Sequence, residues 1–376
     1  MHLLTCLNNI TAYPETEQIL QNKGLIVKKN DELGLFIVKY NKEKCDMSDS
    51  DVQKCRGLIM EIGTNKVVCI PPFKSLGLSQ FSNVIPNLSE TIYEEFIDGT
   101  MINLFNYNGK WIISTRSNIG ANCRWFSNKT FEELFNDSTS NLNYDKLDPT
   151  ISYTFVLQHP DNRIVKNYTN PEYTLVVARK INQDTNEYID LNLLELQTHL
   201  QSLGVEVNIP RRYKFDDFML AMDYVNNQKY DFQGLIMKYN GFRSKIRNTK
   251  YNHVKNLKGN TRNMKYTYLS LRQNNGLKSF LEFFPEYEQE FLEYRNQFHG
   301  MTNDFWNCYK TYYISPSKIS LNKKTMPFQF RPLCYELHGR YLSRKHENYK
   351  ITWTEIKNYI NCLPPAKQLF IMNYHE

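Results

Sequence analysis

The chain has 376 residues, 41% of them hydrophobic and 23% charged, with a formal net charge of +7 at neutral pH. That length accommodates two domains with separate cores, and no stretch reaches the roughly 18 apolar residues that a membrane-spanning helix needs. Its eight cysteines form no C-x-x-C pair, which argues against a zinc ribbon or thioredoxin-like site and for reduced, mostly buried thiols of an intracellular, cytoplasmic protein.

The opening residues 1–18 have neither the basic start nor the long apolar core of a secretory leader. Short alternating runs follow, Gly24-Leu25-Ile26-Val27 and Gly34-Leu35-Phe36-Ile37-Val38, and from Gly57 to Asn240 the pattern reads as strands joined by turns. Thr100–Phe105 and Trp111–Thr115, linked through Asn108-Gly109, predict a hairpin, because Asn-Gly favours the positive φ angles of a tight turn. Tyr153–Leu157 and Tyr173–Ala178 predict two more strands. Leu191–Gly204 has the 3 and 4 spacing of an amphipathic helix ended by glycine. From about Met264 the pattern turns helical, over 279–284, 288–294, the run around Trp306, 333–341 and 353–361. The expected division is therefore residues 1–262 and 263–376.

Charge is unevenly spread. Lys238, Arg243, Lys245, Arg247, Lys250, Lys255, Lys258, Arg262 and Lys265 occur with no Asp or Glu between them. These nine cations exceed the net charge of the whole chain. Such a block attracts polyanions, with an affinity that falls steeply with salt. A solvated face with no partner is the plainer reading; the interleaved aromatic and Asn residues favour a binding one.

Five segments stand out in chain order. The first is Cys55-Arg56-Gly57 with the later Pro71-Pro72-Phe73-Lys74. The second is Tyr93-Glu94-Glu95-Phe96-Ile97-Asp98-Gly99-Thr100, with Ser114-Thr115-Arg116-Ser117 after it. The third is Phe155-Val156-Leu157-Gln158-His159-Pro160-Asp161-Asn162-Arg163-Ile164-Val165. The last two are Phe232-Gln233-Gly234-Leu235-Ile236-Met237-Lys238 and Lys245-Ile246-Arg247, followed by Lys250-Tyr251. Their order and spacing resemble the landmarks of the covalent nucleotidyltransferases, the ATP-dependent RNA and DNA ligases and mRNA capping enzymes, and among them the phage-type RNA ligases. The abundance of Asn, Lys, Ile and Tyr fits an AT-rich genome such as that of a large DNA virus or a protist.

The resemblance implies an α+β fold: a nucleotidyltransferase (ATP-grasp-like ligase) domain of antiparallel sheets with flanking helices, then a smaller, mostly helical C-terminal domain. It assigns Arg56, Lys74, Arg116, Arg163, Lys245 and Arg247 to nucleotide or phosphate contacts, and a guanidinium can fork onto two phosphate oxygens. Arg243, Lys250, Lys255, Lys258 and Arg262 extend this set toward nucleic acid. The departures are orderly. The family's attacking lysine is replaced by Phe96 beside Asp98 and Gly99, and two carboxylate slots hold Val156 and Gln233. An attacking lysine must present a free amine to the α-phosphate, and Mg²⁺ requires hard oxygen ligands. The expectation is thus a pseudoenzyme with no metal site, binding nucleic acid (RNA favoured) or nucleotide through a basic groove. Two alternatives stay open: an active divergent RNA ligase using ATP and Mg²⁺ with Lys74, Lys110 or a partner protein's lysine as nucleophile, and a non-enzymatic viral assembly scaffold in host cytoplasm or virion.

Overall fold

Apolar residues at period two dominate the first 250 residues, and the computed structural model folds them into three antiparallel sheets. It describes residues 4–7, 10, 13–85, 90–314 and 325–374; part of the opening segment read above lies outside these. β1 (Ile26–Asn30), β2 (Leu35–Lys39), β3 (Arg56–Glu61) and β4 (Val67–Cys69) pair in chain order as an N-terminal sheet. β5 (Ile92–Glu95) then leaves for another sheet. β6 (Thr100–Tyr107), β7 (Lys110–Ser114), β8 (Ile151–Gln158), β9 (Glu172–Asn182) and β10 (Glu187–Asp190) build the central sheet in the order β10-β9-β8-β6-β7. β11 (Arg212–Tyr213), β5, β12 (Gly234–Tyr239) and β13 (Phe242–Arg247) form the third sheet in that order.

Alternation along these strands decides what each face does. Ile151, Tyr153, Phe155 and Leu157 of β8 bury with Ile102 and Leu104 of β6 beneath the helices Phe131–Ser138 and Leu193–Ser202. The opposite face of the same strands is polar. There Thr154 Oγ1 donates to Asn103 Oδ1 (3.0 Å), and Asn103 Nδ2 donates to Ser114 Oγ (3.2 Å). In the third sheet Tyr93, Leu235, Met237 and Ile246 pack with Phe81, Ala221 and Val225. Period-two geometry therefore turns Glu94, Lys238, Arg243, Lys245 and Arg247 to the other side.

The hairpin around Asn108-Gly109 and the helix ending before Gly204 are present as expected. The stretch read as strands and turns also contains the short helix Leu78–Val84 and two longer helices, Phe131–Ser138 and Phe218–Asn227. Both longer helices carry start signals that outweigh strand propensity. Thr130 and Glu133 form a reciprocal capping box, and Asp217 accepts from the Met219 N–H.

The chain divides into two compact units, Met1–His253 and Val254–Glu376. The division falls inside the helix Thr249–Lys258, short of the 262/263 boundary expected from the sequence. All regular structure among the described residues of the second unit is helical, and Tyr268, Phe280, Phe291, Phe298 and Phe305 are buried in it. Among the described residues no helix is long and apolar enough to cross a membrane.

Candidate functional site

The connection Phe96–Gly99 joins the third sheet to the central one, and the later marked segments of the first unit converge on it. The Phe96 N–H donates to the Gly234 carbonyl (2.9 Å). Its ring lies under the Lys245 ammonium, 4.7 Å from the centroid, and the Arg247 guanidinium, 5.7 Å away. Strand register explains the arrangement, since Gly234 pairs with Arg247 and Ile236 with Lys245. A cation over an aromatic face is worth about 0.5–2 kcal/mol.

Asp98 has a different environment. It is 4% exposed. Its Oδ2 accepts from the Val165 and Lys166 N–H groups (3.0 and 2.8 Å), and its Oδ1 accepts from the Tyr251 hydroxyl (2.6 Å). The Tyr168 hydroxyl donates to the Asp98 carbonyl (2.9 Å). Burial, reinforced by the Asp98 charge, pushes both tyrosine hydroxyls well up, so they stay protonated donors. Asp98 thus ties the third and fifth marked segments to the second. Gly99 is required for close approach: a Cβ there would sit 2.3 Å from the Leu157 carbonyl oxygen and 2.7 Å from Val156 Cγ1.

The remaining predicted cations divide into two groups. Arg56 Nη1 donates to the Pro72 carbonyl (3.2 Å), and burial lowers its pKa. Lys74, two residues on, is half-buried and anchored by its backbone N–H to the Gln53 carbonyl (3.0 Å). Arg116 is exposed. Arg163 is half-buried, and its Nε donates to the Val165 carbonyl (3.0 Å) within the loop whose N–H groups meet Asp98. Lys250 is exposed, with its ammonium donating to the Gln228 carbonyl (3.1 Å).

The basic block is not one continuous cationic face. Lys238 is paired with Glu94 at 2.5 Å. Lys255, Lys258 and Arg262 fall in the second unit. Lys258 is 2% exposed and sits over the rings of Phe284 and Tyr287 (5.2 and 5.6 Å), which corrects its placement on a binding surface: burial among aromatics has withdrawn it.

Beside Lys238 and Arg243, a cleft of about 360 Å³ next to β5, β9 and β12 is lined by Glu94, Arg179, Asp190 and Arg212, to which sequence reasoning assigned no role. Glu94, 3% exposed, faces Lys238 and Arg212, the latter at 3.4 Å. Arg179 pairs with Asp190 (2.6 Å) and lies over Phe73 (4.1 Å). Arg243 has a buried Nε without a hydrogen-bond partner. Burial lowers its pKa to about 9, with Arg56 and Arg179 pushing the same way. The readable signal was alternation, which puts Lys238 and Arg243 on the same face as Lys245 and Arg247.

A divalent cation does not fit these donors. Val156 and Gln233 offer no carboxylate, both Asp98 oxygens are engaged, and Glu94 is held between two cations. Among the described residues no group of three or more His, Cys, Asp or Glu is placed to hold a metal.

No protein-family model matches the chain. It is 24% identical over 320 residues to an Autographa californica nuclear polyhedrosis virus protein provisionally described as a bifunctional polynucleotide kinase/RNA ligase, covering 79% of this chain and 44% of that one. It is 22% identical over 293 residues to an immediate-early protein ICP-46 homolog of Invertebrate iridescent virus 3, covering 72% and 63%. The chain thus spans less than two thirds of either relative. An archaeal ATP-dependent RNA ligase structure is similar with a TM-score of 0.45 at 14% identity, covering 70% of this chain and 66% of that one.

Proposed function

We propose that the chain is an RNA-ligase-type nucleotidyltransferase-fold protein that binds nucleic acid, RNA by preference, or nucleotide, without forming a covalent nucleotide adduct; the likeness to the viral kinase/RNA ligase supports the first part of this reading. One observation carries the reading: Phe96 fills the attacking-lysine slot, and Lys245 and Arg247 rest on its ring. An aromatic ring supplies no amine to attack an α-phosphate. The carboxylates that would recruit Mg²⁺ are also replaced, so phosphoryl charge developing in a transfer step has no metal to neutralise it.

What remains favours anions. Arg56, Arg243, Lys245 and Arg247 lie on or beside one face, and Arg243 carries a buried Nε with no partner. Burying a charged group without full hydrogen bonding is unfavourable, and a phosphate oxygen would relieve that cost. The relative described as a kinase/RNA ligase supports RNA as the polyanion. The covalent alternatives are poorly placed: Lys110 is exposed at a hairpin tip, and Lys74 belongs to the phosphate-side set.

The test is intact-mass spectrometry after incubation with ATP or GTP and Mg²⁺ or Mn²⁺, followed by titration of labelled RNA and DNA across a salt series. The expected result is an unchanged mass with salt-sensitive binding. A nucleotide adduct overturns the reading, and peptide mapping would then name the amine. Unchanged mass with no binding even at low salt would leave only the scaffold role.

A further inference from the structure

A second group of cations lies along the N-terminal sheet. Lys39 on β2 stands directly across from Arg56 on β3, two like charges in register. On the other side β1 pairs Ile26 with Lys39, which puts Lys28 one diagonal step away on the same face. This face packs against the central sheet through Ile37, Ile59 and Phe105. Beyond that apolar patch the three cations meet the segment after β7. Lys28 Nζ donates to Asn118 Oδ1 (2.6 Å). Gly57 lets the Arg116 backbone come so close that a Cβ there would lie 3.0 Å from the Arg116 Cα.

Like charges directly opposite each other in a sheet are destabilising. β1, β2 and β3 hold a single carboxylate, Glu61, which sits opposite Leu35 at the far end of the sheet and accepts from the Tyr107 hydroxyl (2.7 Å). Burial lowers the Lys39 pKa, and Arg116 and Lys28 add to the effect. The cluster is therefore costly in the free protein, and bound anions would offset that cost.

We propose that Lys28, Lys39, Arg116 and Asn118 form a track for the phosphodiester backbone of single-stranded RNA, leading over the edge of the N-terminal sheet toward Arg56. The proposal rests on the nucleic-acid reading above and adds the path of the strand. A strand is favoured over a lone nucleotide because the cations are spread over three strands and a loop. That loop, tied by the bond from Asn118 Nδ2 to Asn122 Oδ1 (2.7 Å), also carries Arg124 and Trp125, the latter 38% exposed. Cations beside an exposed aromatic are the equipment of single-strand recognition: charge follows the backbone and a ring stacks a base.

The test uses the full chain and a fluorescein-labelled single-stranded RNA of about 20 nucleotides, longer than the roughly 4–16 that small single-strand sites cover. The variants are Lys28→Ala/Lys39→Ala and a charge-matched control, Lys110→Ala/Lys146→Ala, all checked for unchanged thermal unfolding. ATP binding is measured in parallel. The track variant should lose about tenfold in RNA affinity, and its salt slope should fall by roughly 1.4, two single-strand contacts at about 0.7 each. Its ATP affinity and the control's RNA affinity should stay at wild-type levels. Equal RNA binding by track and control variants overturns the track while leaving nucleic-acid binding intact. Loss of ATP binding instead identifies the anion as a free nucleotide's phosphates and overturns the strand. A wild-type chain that binds neither probe overturns both readings.

Discussion

Asp98 and Phe96 are two residues apart on one connection, yet their surroundings have opposite characters. Around Asp98 every oxygen is matched: three donors meet its carboxylate and a fourth meets its carbonyl. Around Phe96 two cations lie over an aromatic face, and Arg243 is crowded by other arginines nearby. The first region is a structural knot, and the second is where the proposed function puts an anion. Asp98 and Gly99 thus have a visible scaffolding task, whereas Phe96 offers only an aromatic face to the cations above it.

The largest expected effect tests the knot. Asp98→Ala strands the buried Val165 N–H, the half-buried Lys166 N–H and the Tyr251 hydroxyl, each unsatisfied buried donor costing about 1–3 kcal/mol. We expect a loss of about 3–5 kcal/mol in urea-unfolding stability, in the range of broken buried networks. A loss under about 1 kcal/mol would mean that Asp98 is held in reserve for a ligand, and the contrast with Phe96 would collapse. Gly99→Ala should cost somewhat less, about 2–4 kcal/mol, because its Cβ meets the Leu157 backbone, which cannot step aside as a flexible side chain would.

How much of this was legible beforehand differs between the two regions. The order of marked segments and the absence of a lysine at 96 could be read directly, because they are facts about residue identity. The alternation that gathers Lys245 and Arg247 with Arg243 was also available in β12 and β13. The bond from Tyr251 to Asp98 was not, since it joins residues 153 apart in sequence. Lys258 shows the limit of counting charges: it belongs to the densest basic run, yet only packing reveals that it is buried. The same holds for Lys39 and Arg56, which become neighbours only once strand register is known.

Arg243 sharpens the comparison with an effect of opposite sign. Replacing a poorly paired buried cation with an apolar side chain of similar length is often stabilising. Arg243→Met should raise the free protein's stability by about 1 kcal/mol in thermal or urea unfolding while weakening RNA or ATP binding about tenfold. A variant that is destabilised yet binds normally would move Arg243 to the structural side, beside Asp98.

The smallest stability effects are expected at Phe96 itself, and they separate packing from chemistry. Phe96→Leu removes two cation–π contacts and should cost about 1 kcal/mol or less. Phe96→Lys restores the family's residue type but sets a third cation against Lys245 and Arg247. It restores neither carboxylate slot, since Val156 and Gln233 remain. We expect no mass increase on incubation with ATP and Mg²⁺, because the amine would still lack metal ligands to neutralise the departing phosphates. A covalent AMP on the Phe96→Lys protein would show that an amine at position 96 suffices for transfer and that neither Val156 nor Gln233 prevents it.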